Sequence, residues 1–234
     1  MVVLAEYNAE WNDLCDKLKN YGTPIHKYPS GVDSRLTVLA TIDNVAAKDQ
    51  TKYESIQLLD DDLILCCIHL PSQIYTRGSA MRRSAVRRII GDIQRNEKEH
   101  NTKNTIVVGD FNVNPYDEEC MGFEYFYGLP FISDGRTSRE IADERYEFFY
   151  NPMWNFLGDF QEPYGTYYSS GSDTFWNILD QVIVRPELKQ RFKNSELKIL
   201  ARTTKTCLIN ADGSPNKKIS DHLPLVFEVE DNRE

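Results

Sequence analysis

Apolar residues follow two periods along this chain. Residues 1–6 (MVVLAE) form an apolar run that ends in a carboxylate, and this predicts a buried strand. Leu36, Val38, Ala40 and Ile42 alternate with other residues, the period of a strand with one covered face. Residues 54–59 and 63–70 predict two further strands, with Asp60, Asp61 and Asp62 between them as a solvated hairpin turn. Thr105 to Val108 is a short β-rich run that ends in Gly109-Asp110-Phe111-Asn112, and residues 179–184 and 222–229 predict the last strands. Helical spacing appears in residues 8–20, where Trp11, Leu14, Cys15 and Leu18 make one stripe, Asn8 can cap the start and Gly22 follows the end. It appears again in 79–98, where Met81, Ala85, Ile89 and Ile93 recur every four residues. The arginines of that helix (Arg82, Arg83, Arg87, Arg88 and Arg95) read as a solvated face. Residues 117–127 are a weaker helix candidate, and Pro186 opens a short helix. From 129 to 175 the pattern fades into an aromatic, loop-rich stretch with a small-residue tract from Ser169 to Ser172.

Strands outnumber helices, neighbouring strands read as antiparallel pairs, and no repeat or linker interrupts the chain. A single α/β domain over 1–234, built on mixed sheets, is the expected organisation. The 234 residues are enough to bury a core without disulfides or a structural metal. With 41% hydrophobic and 27% charged residues the composition is that of a globular chain, and no apolar run approaches the ~20 residues of a membrane span. No basic stretch precedes the apolar residues 1–5, which argues against a signal peptide. Five cysteines (Cys15, Cys66, Cys67, Cys120 and Cys207) include no CxxC pair, so buried reduced thiols in a cytoplasmic protein are expected. The net charge of −9 disfavours a tight, sequence-tolerant nucleic-acid clamp, although a metal ion in a site inverts the local charge.

Polar residues that can carry chemistry fall at predicted strand ends: Glu6, His69, Asp110 with Asn112, Asp180, and Asp221 with His222. Carboxylates are hard oxygen ligands for Mg²⁺ or Mn²⁺. Such a metal offsets charge in the transition state of phosphoryl transfer. An amide such as Asn112 can donate to a phosphoryl oxygen or orient a nucleophile. A histidine paired to a carboxylate can hold or move a proton near neutral pH. Each residue also has a plainer reading: a turn for Asp-x-Asn, a salt bridge for Glu6 and Asp180, and a core histidine for His222. Their joint occurrence favours the catalytic one. His26 and His100 carry no motif and read as surface or loop residues. Trp176, Tyr164, Tyr167 and Tyr168 read first as core aromatics and second as stacking surfaces.

The segments VVLAE at 2–6, CIHLPS at 67–72, IVVGDFNVNP at 106–115, WNILDQVIV at 176–184 and SDHLPLVFEV at 220–229 resemble, in order and approximate spacing, the endonuclease/exonuclease/phosphatase superfamily. The resemblance implies a DNase I-like four-layer α/β/β/α sandwich with two packed mixed sheets, and divalent-metal-dependent phosphoester hydrolysis. By the same resemblance Glu6 and Asp221 are metal residues, and Asp110 and Asn112 position the attacking water and the scissile phosphate. His222 sits at the phosphate with Asp180 as its orienting carboxylate. His69 matches the histidine of the deoxyribonuclease and sphingomyelinase branches, where AP endonucleases carry a tyrosine, and Asp33 is the candidate carboxylate to support it. The family places one more strand, bearing an asparagine, ahead of the segment at 2–6; the expectation is either a natural start ~20–30 residues upstream or a partner chain or the C-terminus filling that place.

The expected activity is hydrolysis of a phosphodiester by in-line water attack with Mg²⁺ or Mn²⁺. Among substrates a nucleic acid ranks first, a nucleotide, sugar or inositol phosphomonoester second and a lipid third. No membrane association and no obligate protein partner are expected. The rival from another class is a catalytically impaired binding module that kept the fold. Specificity is expected in the 129–175 segment, because fold does not fix function.

Overall fold

The computed structural model describes residues 1–7, 14, 16–18, 25–28, 31, 33–42, 44–72, 78–132, 135–159, 161–172 and 174–230. The chain divides into two compact units, Met1–Asp110 and Phe111–Glu234.

The first unit packs two sheets and a helix. Strands β1 (Val2–Ala5), β2 (His26–Tyr28) and β3 (Leu36–Ala40) form one antiparallel sheet in the order β1-β3-β2. Strands β4 (Val45–Gln50), β5 (Glu54–Leu59), β6 (Leu63–His69) and β7 (Thr105–Asp110) form the other: β4, β5 and β6 run antiparallel, and β7 joins β6 in parallel. The parallel pair needs a crossover, and helix α1 (Gly78–Glu99) supplies it. β5 is buried at every position, the polar Glu54, Ser55 and Gln57 included, and the interior of β6 is buried as well, which explains why β6 reads as a continuous apolar run rather than an alternating one. β1 differs from the expected buried strand. It borders the smaller sheet, pairs among the described residues only with β3, and leaves Val2 51% exposed. His26 is an exposed residue of β2, a strand too short to show periodicity. Of the helix expected over 8–20, Leu14 and residues 16–18 are helical, and the remainder lies outside the described residues.

The stripe on α1 is the expected one at Ala85, Ile89 and Ile93 but not at Met81. Met81 is exposed, and Arg82, Ala85, Val86, Ile89, Ile93, Asn96 and Glu97 are buried. A strict four-residue spacing drifts ~40° per step on a 3.6-residue helix, so after three steps Met81 has turned ~120° from Ile93. The arginines are not simply solvated either. Arg82 is buried and donates to the Pro71 carbonyl at 3.1 Å. Arg88 reaches Glu54 at 3.3 Å, and Arg95 reaches Asp49 at 2.6 Å. The helix is thereby tied to β4, β5 and the segment after β6.

The second unit opens with the loop that follows β7. Helix α2 (Glu118–Met121) is one turn, not the eleven-residue helix expected over 117–127, and it ends where Gly122 leaves helical geometry. Its main sheet holds β8 (Gly128–Leu129), β11 (Phe149–Tyr150) and β14 (Asp180–Val184). The stretch without clear periodicity contains an exposed hairpin, β9 (Ser138–Ile141) with β10 (Glu144–Glu147), and a second one, β12 (Tyr167–Tyr168) with β13 (Trp176–Asn177). The strand expected over 222–229 is reduced to β16 (Leu225–Val226), paired with β15 (Lys198–Ile199), with single bridges at His222 and Val229. Pro186 opens a 3₁₀ turn.

Cys66, Cys67 and Cys120 are buried free thiols, and burial pushes the first two well above their ordinary pKa. Cys207 is free but exposed, contrary to the expectation of uniform burial, and Cys15 lies outside the described residues. No helix among the described residues is long and apolar enough to cross a membrane.

Candidate functional site

In the first unit the register of one strand pair gathers the chemistry. β6 and β7 run parallel with His69 opposite Asp110 and Ile68 opposite Gly109, and the Leu70 amide donates to the Asp110 carbonyl at 2.9 Å. The strands approach so closely at Gly109 that a Cβ there would lie 2.0 Å from the Ile68 carbonyl oxygen, and its φ of +142° is one that side chains rarely adopt. Glycine is therefore required one residue before Asp110. Glu6 follows β1 with φ +55°, held by its amide donating to the Arg35 carbonyl at 2.8 Å. Its Oε1 lies 3.7 Å from His69 Nε2, and Asp110 Oδ2 lies 3.6 Å from the same nitrogen. Two carboxylates thus flank one imidazole. Glu6 is half-exposed and also pairs with Arg35, whereas His69 and Asp110 are largely covered. Asp33, expected to support His69, is exposed; Glu6 and Asp110 are the carboxylates found at the ring. An oxygen-rich donor set at a covered imidazole suits a hard divalent cation.

In the second unit Asp180 and His222 form one pair. Asp180 opens β14, and its Oδ2 lies 2.7 Å from His222 Nδ1, with both side chains about a quarter exposed. The ring of Tyr167 packs 4.9 Å from the imidazole, and the two residues are bridged through their backbones. Thr166, fully buried, holds both partners. Its hydroxyl accepts from the amides of Leu179 and Asp180 at 3.1 and 3.0 Å, and its carbonyl accepts from Leu223 at 2.7 Å. Sequence reading did not single out Thr166, which lies in the weakly patterned stretch and carries no periodic signal. Asp221 is exposed, and none of the hydrogen bonds or ion pairs of the described residues involves its side chain.

The residues after Asp110 are fixed by side-chain amides. The Phe111 amide donates to the Leu179 carbonyl at 2.8 Å, and the Phe111 ring is fully buried, 5.2 Å from Phe126. Asn112 then takes a left-handed turn, φ +53°, which asparagine tolerates well. Asn114 accepts from the Ile178 amide at 2.9 Å and donates to Asn177 at 3.0 Å, while Gln181 donates to the Val113 carbonyl at 2.7 Å. Asn114 and Gln181 thus lock the turn at Asn112 to the segment carrying Asp180. Both lie inside the motifs read from the sequence, but their positioning part was not legible there.

The family model of the Endonuclease/Exonuclease/phosphatase family matches residues 2–222. The chain belongs to that family, whose members are phosphoester hydrolases. No curated protein matches it. Among solved structures, a 3'-5' exonuclease (NExo) from Neisseria meningitidis is 12% identical, with 97% of this chain and 88% of that chain covered and a TM-score of 0.58. A single-residue variant of the 3' phosphatase NExo from Neisseria, bound to a product DNA hairpin, is 13% identical with the same coverages and a TM-score of 0.55. An AP endonuclease from Archaeoglobus fulgidus is 12% identical, with 98% and 88% covered and a TM-score of 0.53. These likenesses establish a DNase I-like α/β fold.

Proposed function

We propose that the chain is a divalent-metal-dependent phosphodiesterase that acts on nucleic acid as a single catalytic domain. The observation that carries this reading is the 2.7 Å pair of His222 and Asp180, a carboxylate-oriented imidazole of the kind phosphoryl transfer uses to manage charge and protons. Glu6 and Asp221 would hold the metal, which, when bound, offsets charge on the phosphoryl group. Asp110 orients or deprotonates the attacking water, and Asn112 donates to a phosphoryl oxygen. His222, its tautomer set by Asp180 at Nδ1, stabilises the phosphoryl oxygens through Nε2. His69, between Glu6 and Asp110, assists at the leaving group.

The two Neisseria structures carry the titles of an exonuclease and a 3' phosphatase, so diester and monoester chemistry both occur on this fold. The four free cysteines among the described residues fit a cytoplasmic setting. The test is hydrolysis of single-stranded DNA, RNA, plasmid, bis-p-nitrophenyl phosphate and p-nitrophenyl phosphate with Mg²⁺, Mn²⁺ or EDTA. Metal-dependent cleavage of diesters in preference to the monoester supports the proposal. Monoester preference replaces it with the phosphatase reading, and inactivity on every substrate favours a binding module.

A further inference from the structure

The hairpin that carries Tyr167 continues past the phosphate-handling histidine to an aromatic residue whose ring is largely exposed. Tyr167 is bridged to His222 and pairs with Asn177, and Tyr168 pairs with Trp176. The next rung is the Ser169 amide donating to the Phe175 carbonyl at 2.8 Å. Phe175 therefore lies two rungs from the His222 contact, ~7 Å along the hairpin. That is about the span between a phosphate and the base of its own nucleotide.

Two features set Phe175 apart. It is 54% exposed, so its ring contributes little to the core. It also holds φ +59°, a conformation unfavourable for an aromatic residue. The strain is maintained by the loop. The Phe175 amide donates to the Ser172 carbonyl at 3.2 Å, the Ser172 hydroxyl donates to the Ser169 carbonyl at 3.0 Å, and Asn177 donates to that hydroxyl at 3.0 Å. A small-residue tract that would otherwise be a slack linker is instead cross-bonded, and it presents a ring to solvent in a fixed place. Preorganised display of this kind lowers the ordering cost of a stacking contact.

We infer that Phe175 stacks on the base of the nucleotide whose phosphate is bound at His222, so the substrate is nucleotidic rather than a sugar, inositol or lipid phosphate. This rests on the phosphodiesterase reading above. An aromatic face accepts any base, so the contact gives affinity for a single-stranded or splayed nucleotide without selecting its sequence.

The test compares wild type, F175A, F175W and F175G on oligothymidylate and on an abasic oligomer of equal length, with Mg²⁺. Stacking predicts that F175A lowers kcat/KM on oligothymidylate by roughly 5- to 150-fold and leaves the abasic oligomer within about twofold. F175W restores the loss. F175G loses the same activity while its melting temperature holds or rises, because glycine relieves the strained φ. Equal loss on both oligomers, or no loss on either, overturns the inference while the hydrolase reading stands. Cleavage of p-nitrophenyl phosphate or an inositol phosphate with neither oligomer cleaved also overturns it. Inactivity of the wild type on every phosphoester removes the underlying reading and the inference with it.

Discussion

His222 Nδ1 and Asp180 Oδ2 stand 2.7 Å apart across 42 residues of sequence, and buried Thr166 bonds the backbone of Asp180 on one side and of Leu223, the residue after His222, on the other. The carboxylate fixes which imidazole nitrogen faces it. Replacing Asp180 by asparagine keeps the size and removes the charge. D180N is expected to lower kcat on a diester by ~10²–10⁴-fold with its melting temperature within a few degrees of wild type. A kcat unchanged in D180N, measured under saturating substrate, would show that Asp180 is only a structural partner.

Thr166 should behave as a positioning residue. T166V removes the acceptor of two part-buried amides and is expected to cost ~1–3 kcal/mol, a fall of ~2–12 °C in melting temperature for a chain of this size. T166S keeps the hydroxyl and should recover most of the stability and of kcat. Equal loss in T166S and T166V by calorimetry would assign the effect to packing of the methyl group instead.

Gly109 is needed for close approach of β7 to β6. G109A places a methyl group against the Ile68 carbonyl in a strained backbone and is expected to destabilise by ~3 kcal/mol or more. Because His69 and Asp110 are the next pair in register, activity should fall further than the folded fraction does. Thermal unfolding together with specific activity per folded molecule checks both parts.

Glu54 sets a pH dependence of stability. Burial, then the nearby Asp92 carboxylate, raise its pKa to about 7 against the opposing pull of Arg88. A carboxyl with a higher pKa in the fold than in the unfolded chain keeps its proton longer when folded. Its contribution is full below about 4.5 and is lost as pH rises through about 7. E54Q, which cannot ionise, should therefore flatten the fall in stability between pH 5 and pH 8 by ~2–3 kcal/mol. A denaturant-midpoint difference between those pH values that is the same in E54Q and wild type would contradict this.

The sequence made the central strands β6, β7 and β14 legible because they are covered on their faces and carry apolar runs, whereas β5 is covered but has Glu54, Ser55 and Gln57 among its apolar residues. β2, β8 and β11 are two or three residues long, too short for any period, and β9–β10 is an exposed hairpin with little apolar alternation. The over-long strand at 222–229 arose because bridges at His222 and Val229 share its alternation without forming a ladder. Among the candidate site residues, His69, Asp110, Asp180 and His222 were legible because motifs mark them. The Asp180–His222 contact joins distant motifs, and the His69–Asp110 pairing follows from parallel register. Thr166 and Asn114 were not legible as positioning residues, because they act through backbone amides far away in the chain. Arg82 was misread since a buried guanidinium is identified only by its acceptor, the Pro71 carbonyl.

The proposed function assigns metal-dependent phosphodiester hydrolysis to Asp110 and His222. Its most direct test is kcat/KM on bis-p-nitrophenyl phosphate for wild type, D110A and H222A, each with Mg²⁺ and after EDTA. The expected result is wild-type turnover that EDTA abolishes and Mg²⁺ restores, and losses of ~10²–10⁴-fold in each variant with folding intact. Turnover that survives chelation, or that D110A and H222A retain undiminished, would contradict it.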